Sequence, residues 1–229
     1  MPTILAIETS TELASVALLH QGELITHEAA GVNMHSQTIL PMVQVLLAQS
    51  GISLAQCDAI AFGAGPGSFT GVRTACGVAQ GLAFGADLPV VPVVTLVAMA
   101  QACRDVCGAS DVLVLLDARM DEVYWAQYRY QNGWQVVIDA QVSAPSAVTA
   151  VEPVTVCGNG LTAYASAFDG LPFAKGAQPD VMPHARQIAQ LAQLEVAAGR
   201  TLAARDAQPI YLRNKVALTT AERQARAVA

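Results

Sequence analysis

One order of predicted elements, strand–strand–strand–helix–strand–helix, constrains the fold of this chain more than any other feature of the sequence. It appears clearly in the first half, where three strand-like segments precede helical segments at 36–50 and 68–85. A reduced version begins near Ser110 and ends with a long helical segment that starts at Pro183. This duplicated order predicts an α/β fold made of two tandem units, the second of which is reduced.

The 229 residues are enough for one large domain or two small ones, each with its own core. The repeat places the boundary near residues 100–110. We therefore expect an N-terminal unit at 1–105 and a smaller C-terminal unit at 106–229. In this division the late helix is still able to pack back on the first unit.

The composition indicates a globular protein with a partner. Hydrophobic residues make up 53% of the chain and charged residues only 13%, which excludes a disordered protein. Such a high apolar content indicates that part of the apolar surface contacts another molecule. The net charge of −6 argues against broad electrostatic binding to nucleic acid.

The sequence contains no recognisable targeting segment. The N-terminus has no basic region and reaches Glu8 almost at once, unlike a signal peptide. The apolar run from Leu88 to Ala100 is interrupted by Pro92 and is too short to span a bilayer. The five cysteines form no C-x-x-C motif, which is typical of a reduced protein. We therefore expect a cytoplasmic protein without a membrane segment.

The charged residues are unevenly distributed along the chain. Only seven of them lie in residues 1–100, whereas the remaining residues hold 23. Apart from what His35 carries, no formal charge occurs from Ala29 to Cys57, and none occurs from Thr74 to Ala86. A helix that faces water on one side normally has charges there. The two uncharged segments therefore predict two helices that are covered on more than one face.

The stretch from Ala61 to Ala86 raises the main functional question, because a strand there leads through several glycines into a helix capped by Ser68. This arrangement presents backbone N–H groups to an anion. However, the string GAGPGSFTG lacks the lysine of a G-x-x-x-x-G-K-[ST] loop, and Ser68 replaces the third glycine of G-x-G-x-x-G. The residues alone leave both a phosphate site and a packing role open.

Three glycines inside the second predicted helix, Gly77, Gly81 and Gly85, are four residues apart. Each interior glycine costs about 1 kcal/mol relative to alanine, so a compensating interaction is expected. Close approach by another helix would compensate, because small residues four apart leave a flat groove. Enclosure of this helix within its own domain is the alternative, and the sequence does not decide between the two.

Metal and nucleophile sites find little support. The four histidines are dispersed, Ser68 lacks a G-x-S-x-G context, and Cys103 and Cys107 are typical of ordinary buried thiols. One acidic cluster follows a predicted strand, and a solvated turn explains it better than a functional site does. It comprises Asp117, Arg119, Asp121 and Glu122.

Several strings together resemble the TsaB family, also called YeaZ, over essentially the whole chain: ILAIETS, GAGPGSFTGVR with GVAQGLA, LDARMDEVYWA and PIYLRN. The resemblance implies the fold of the actin-like, sugar-kinase-like ATPase superfamily. It also implies a non-catalytic scaffold or activator in the synthesis of threonylcarbamoyladenosine on tRNA, which binds the catalytic subunit TsaD. Further implied partners are the TsaE ATPase and, indirectly, the TsaC product and tRNA.

The resemblance implies no cofactor or metal of the chain's own, and it leaves open whether ATP or ADP binds at the interface of the complex. Where TsaD carries a metal-binding histidine pair, this chain has Thr95 and Met99, which are not credible iron or zinc ligands. The Asp-x-Gly phosphate loop of superfamily kinases is absent after Asp117. A residual nucleotide loop is implied at Glu8, Ser10, Gly65, Gly67 and Ser68.

The resemblance further implies pairing with TsaD, and homodimerisation when the chain is alone, through helices near 36–50 and 68–85. These are the two segments without charge. The predicted interface residues are His35, Thr38, Ile39, Met42, Val43, Leu46, Thr70, Arg73, Thr74, Gly77 and Gly81.

Two other functions are compatible with parts of the sequence. A stand-alone small ATPase or kinase of the same superfamily is the alternative to a scaffold. Segment 200–229 carries six basic residues against two acidic ones, which provides at most an auxiliary contact with tRNA.

Overall fold

A computed structural model describes residues 1–30 and 35–213. Its strands are β1 (Ile4–Glu8), β2 (Leu13–His20), β3 (Glu23–Ala30), β4 (Ala59–Gly65), β5 (Val90–Val94), β6 (Asp111–Asp117), β7 (Val123–Tyr130), β8 (Trp134–Ser143) and β9 (Thr155–Cys157). Its helices are α1 (His35–Ser50), α2 (Phe69–Ala86), α3 (Thr95–Cys107), α4 (Gly160–Ala163), α5 (Ala165–Phe168) and α6 (Ala185–Ala197).

The first sheet has the strand order β3-β2-β1-β4-β5. Strand β1 lies at its centre, antiparallel to β2 and parallel to β4. Every residue of β1 and β4 is buried, because α1 and α2 cover one face of the sheet and α6 covers the other. Strands buried on both faces are continuously apolar, which explains the uninterrupted apolar runs at these positions.

The second sheet has the strand order β8-β7-β6-β9 and belongs to the reduced repeat. A hairpin joins β7 and β8, and Asn132 and Gly133 adopt left-handed backbone angles there, with φ of 56° and 142°. The turn between β6 and β7 is less usual, because Arg119, Met120 and Asp121 all have positive φ. Three consecutive non-glycine residues with positive φ have a strained backbone, so surrounding contacts must hold the turn in place.

Helix α3 is the main element that the sequence did not predict. It begins at Thr95, directly after β5, and Val94 provides no side-chain cap. The apolar run therefore continues from strand into helix without a boundary signal. The core of the second sheet includes Leu96 and Met99 of this helix. The predicted boundary between 105 and 106 falls within its last turn.

The C-terminal part of the described chain returns to the first sheet. Helix α6 packs on this sheet through buried residues that include Ile188 and Ala192. The following segment, residues 207–213, which we call the strap, contacts both cores through Ile210 and Leu212. Within residues 1–30 and 35–213, none of the helices has the length and apolar character needed to cross a membrane.

Candidate functional site

The glycines at the start of α2 serve close packing within the chain. A Cβ atom added at Gly71 would overlap the carbonyl oxygen of Thr9, and one at Gly67 would lie 2.5 Å from the Cβ of Ser10. The backbone N–H of Ser68 donates a hydrogen bond of 2.7 Å to the carbonyl oxygen of Ser10. The turn after β1 therefore packs directly against the N-terminus of α2, and the absence of side chains permits this approach.

Gly65 has a related role at the end of β4. Its φ is +107°, and an added Cβ would lie 2.8 Å from the carbonyl oxygen of Ile210. The N–H of Ile210 donates a 2.7 Å hydrogen bond to the carbonyl oxygen of Ala64. The glycine thus allows the strap to cross the end of the strand.

Glu8 is the last residue of β1, just before the turn that packs against α2, and it is completely buried. Its carboxylate accepts a 2.5 Å hydrogen bond from the N–H of Ser10 and a weaker one of 3.5 Å from the hydroxyl of Thr95. An added Cβ at Gly63 would overlap a carboxylate oxygen of Glu8. Burial raises the pKa of Glu8, and the hydrogen bonds from Ser10, Thr9 and Thr95 oppose this shift without cancelling it. The carboxyl group of Glu8 therefore occupies the interior space that the missing side chain of Gly63 leaves.

Thr95 and Met99, which the resemblance aligns with the expected metal ligands of TsaD, are inside the protein. The hydroxyl of Thr95 accepts the N–H of Gly65 at 3.1 Å, and Met99 is fully buried in the core of the second sheet. Among the residues described, no group of three histidine, cysteine or acidic side chains is placed to hold a metal ion. These two positions contribute to packing and to the support of the β4 terminus.

A cleft of about 320 Å³ lies between the two repeats. Ser10, Gly67 and Ser68 line it from the first repeat, and Asp117 and Arg119 line it from the second. The structure therefore brings part of the predicted nucleotide loop together with the predicted acidic cluster. Glu8 and Gly65 do not line the cleft; they lie behind its wall.

Arginine–carboxylate pairs occupy the polar side of the cleft. The guanidinium of Arg119 contacts Asp117 at 3.0 Å and also pairs with Glu12 of the first repeat. Arg213 of the strap pairs with Glu122. Both arginines that line the cleft are therefore neutralised by carboxylates of the same chain, and a phosphate would have to displace these contacts.

Tyr164 binds Asp117, one of the residues that line this cleft. Its hydroxyl donates a 2.9 Å hydrogen bond to Asp117. Desolvation, followed by this hydrogen bond and the negative charge of Asp117, raises the pKa of Tyr164 to about 12. The tyrosine is therefore a neutral donor that helps to hold Asp117 in a fixed orientation.

The glycines further along α2 are exposed and contrast with those of the loop. An added Cβ at Gly77, Gly81 or Gly85 would meet no atom within 4 Å. Phe84 on the same helix is 83% exposed, and Leu40 and Val45 of α1 are each 45% exposed. No part of the described chain encloses this side of α2. We call the exposed residues of α1 and α2 the docking face; they are Ser36, Gln37, Leu40, Pro41, Gln44, Val45, Ala48, Gln49, Phe69, Thr70, Arg73, Gly77, Gly81, Phe84 and Gly85.

The structure corrects four of the predicted interface residues. Ile39, Val43 and Leu46 are at most 3% exposed and belong to the core between α1 and the first sheet, and His35 is 6% exposed. The apolar periodicity of α1 therefore identified the face that the helix turns toward its own sheet. Thr38, Met42 and Thr74 are half-buried, whereas Thr70, Arg73, Gly77 and Gly81 lie on the docking face.

Three aromatic residues near this face were missed from the sequence. The guanidinium of Arg73 lies 3.5 Å from the ring centre of Phe69, and its Nε donates a 2.7 Å hydrogen bond to the hydroxyl of Tyr211. Tyr211 is too distant in sequence for any local pattern to indicate this contact. Phe84, however, lies three residues after Gly81, so helical spacing alone could have placed it on this face.

The chain resembles known proteins both in sequence and in structure. A family model described as TsaD, tRNA N6-adenosine threonylcarbamoyltransferase, matches residues 25–220. The chain is 43% identical to the tRNA threonylcarbamoyladenosine biosynthesis protein TsaB of Haemophilus influenzae, over 93% of this chain and 94% of that protein. It is 45% identical to the protein of the same name from Escherichia coli, over 93% and 96% of the two chains.

The crystal structure of YeaZ from Pseudomonas aeruginosa is also similar. It shares 40% sequence identity, covers 93% of this chain and all of its own length, and superposes with a TM-score of 0.87. The predicted fold, two α/β units of the actin-like, sugar-kinase-like class with a reduced second unit, is confirmed. These identities over nearly the whole length show that the chain belongs to the TsaB, or YeaZ, family.

Proposed function

We propose that this protein is a non-catalytic subunit in the biosynthesis of threonylcarbamoyladenosine on tRNA, and that it binds and activates the TsaD threonylcarbamoyltransferase. The observation that carries the proposal is the uncovered glycine stripe of α2, where Gly77, Gly81 and Gly85 meet no described atom. An exposed, nearly uncharged helix face with small residues four apart suits close packing by a partner helix. The names of the similar proteins supply the pathway.

The cleft supports a non-catalytic role. The two arginines that line the cleft pair with Glu12, Asp117 and Glu122. The space next to the glycines beside the cleft is already occupied by other atoms of the same chain. A phosphate-transfer site needs donors that are directed at the reacting phosphate. Here the guanidinium groups of Arg119 and Arg213 are directed at carboxylates of the same chain.

The proposal includes the wider assembly in the cytoplasm. TsaD forms a heterodimer with this chain through the docking face, and a second copy uses the same face when TsaD is absent. The TsaE ATPase binds the pair, ATP or ADP binds at an interface of the complex, and the TsaC product and tRNA are handled by TsaD. The basic segment proposed for tRNA extends beyond the described residues, so its C-terminal part has no structural description.

The test is a pair of arginine substitutions on exposed helix positions. Gly81→Arg places a long charged side chain in the centre of the docking face, and Leu194→Arg places the same side chain on α6, where Leu194 is 57% exposed. We expect Gly81→Arg to abolish binding to the organism's TsaD and to abolish tRNA modification, while Leu194→Arg preserves both. Circular dichroism would verify that both variants fold. Retention of binding and modification by folded Gly81→Arg would refute the proposal.

A stand-alone ATPase or kinase is the second candidate, and the cleft between the repeats is the observation that favours it. Its volume of about 320 Å³ is within the range of small-molecule sites. Titration calorimetry of the purified chain with ATP and magnesium would distinguish the two. Micromolar binding with turnover in the absence of TsaD would favour the enzyme over the scaffold.

A further inference from the structure

Arg73 is the one formal charge on the docking face. Helix α1 contains no charged residue other than what His35 carries, and that side chain is buried. Arg73 is the single charged residue of α2. Three acidic residues border these helices: Glu12 is paired with Arg119, Asp206 lies 3.8 Å from Arg205, and Asp87 is the C-cap of α2, outside the docking face. The face therefore presents one positive charge on an otherwise neutral surface.

The side chain of Arg73 is held in place by aromatic contacts. Its guanidinium lies over the ring of Phe69 at 3.5 Å, and Tyr211 accepts the hydrogen bond from its Nε at 2.7 Å. The two rings also contact each other, with centres 5.7 Å apart. An exposed arginine normally loses rotamer freedom when it is bound. Here the strap and Phe69 restrict that freedom before any partner arrives, which lowers the cost of recognition.

One edge of the guanidinium remains available. The interaction with Tyr211 uses Nε, and within the described chain Arg73 takes part in no ion pair. The pair of terminal nitrogens, Nη1 and Nη2, matches the two oxygens of a carboxylate in a bidentate arrangement. A partner that covered this edge without an acceptor would bury an unpaired charge, which is strongly unfavourable.

We propose that the docking face selects a partner helix that carries one aspartate or glutamate opposite Arg73, about one helical turn from the small residues that pack on Gly77. This inference rests on the proposed function and specifies the partner's chemistry. The glycine stripe provides close approach, and Arg73 fixes the register and orientation of the partner helix. Apolar packing alone would tolerate a sliding helix, whereas a single bidentate ion pair does not.

A second copy of this chain fits the arginine less well. In a two-fold dimer with antiparallel α2 helices that cross between Gly77 and Gly81, Arg73 faces the region of Gly85. Asp87, the acidic residue closest in sequence to Gly85, is the C-cap of α2 and lies outside the helix. The docking face therefore favours a different protein over a second copy of this chain, although either partner would pack on the glycine stripe of α2.

The test measures the affinity for the organism's TsaD by titration calorimetry with three single variants. Arg73→Gln should weaken binding roughly 30-fold, which is the effect of removing one member of a buried charge pair. Arg73→Lys retains the charge without the planar fork and should give a smaller loss. Arg104→Gln is the matched control, because Arg104 also stacks on an aromatic ring, at 4.0 Å from Tyr130, but lies outside the face. Unchanged affinity in Arg73→Gln would overturn the inference.

Charge reversal identifies the partner's residue. Arg73→Glu should lose binding, and one lysine substitution among the aspartates and glutamates on the docking helices of TsaD should restore it. Failure of every such substitution to restore binding would overturn the inference.

Sedimentation of the isolated chain tests the second copy. We expect Arg73→Gln and Asp87→Asn to leave self-association unchanged. If both weaken the homodimer while TsaD binding is unaffected, the guanidinium pairs with the second copy and the inference is wrong. The outcome of Gly81→Arg separates the two proposals: if it does not affect TsaD binding, the docking face itself is wrong, and if only Arg73→Gln is silent, the carboxylate requirement alone fails.

Discussion

Replacing both Gly77 and Gly81 by alanine should make the isolated protein more stable. Both glycines are interior residues of α2, and an added Cβ at either position meets no described atom within 4 Å. The substitution therefore gains helix propensity without a steric penalty. Each replacement should contribute about 1 kcal/mol to the free energy of unfolding, or about 2 kcal/mol together. For a chain of this length, the melting temperature should rise by about 4–8 °C.

The same double variant should bind TsaD more weakly, because two methyl groups separate the backbones that the glycine stripe brings together. Thermal unfolding followed by circular dichroism at several protein concentrations would separate monomer stability from self-association. Gly71→Ala is the control, since an added Cβ there overlaps the carbonyl oxygen of Thr9 and should lower the melting temperature.

The stability measurement can refute the reasoning directly. An unchanged or lower melting temperature for the double variant would mean that another part of the chain covers the stripe. A higher melting temperature with unaltered TsaD binding would mean that α2 is exposed but does not contact the partner. The combination of higher stability and weaker binding is the expected signature of a surface kept suboptimal for function.

Three further predictions concern other parts of the structure. Burial raises the pKa of Glu8, so the folded state favours the protonated carboxyl; this stabilisation is present at low pH and is lost as the pH rises through the raised value. Thermal melts should therefore show that Glu8→Gln gains stability over wild type as the pH rises from the ordinary pKa of a glutamate through the raised one, and a constant difference would contradict this. Iodoacetamide at mildly alkaline pH should label exposed Cys107 before the four buried cysteines, because only the exposed thiol is accessible to the reagent in the folded state; mass spectrometry would identify the order, and equal labelling would contradict it. Arg119→Gln should lower the free energy of unfolding in urea by no more than about 1 kcal/mol, because its side chain is 70% exposed, and a larger loss would show that this arginine holds the two repeats together.

The sequence predicted most of the first repeat because its strands and helices carry clear periodicity and boundary residues. Helix α2 begins after Ser68, whose side chain accepts a hydrogen bond from the N–H of Gly71, as the predicted cap requires. Helix α3 was missed because β5 passes into it without a capping side chain or a polar break. Local signals define an element only where its ends differ chemically from its interior.

The site was only partly predictable for a different reason. Periodicity showed that one face of α1 is apolar, but it did not show whether that face meets its own sheet or another chain. Ile39 and Leu46 pack against the first sheet. The sequence of α1 alone does not show that this sheet is the surface they meet. Similarly, the contact of Arg73 with Tyr211 joins residues 138 positions apart, so its prediction required the complete fold.

The return of the C-terminal part to the first sheet has a consequence for synthesis on the ribosome. One face of that sheet is completed by Ile188 and Ala192 of α6, and the end of β4 is bonded by Ile210 of the strap. Domains usually fold in order as they emerge, the N-terminal one first. In this protein the N-terminal repeat cannot complete its core until nearly the whole chain has been made. The nascent first sheet therefore keeps one apolar face uncovered throughout translation, which is a state that chaperones recognise.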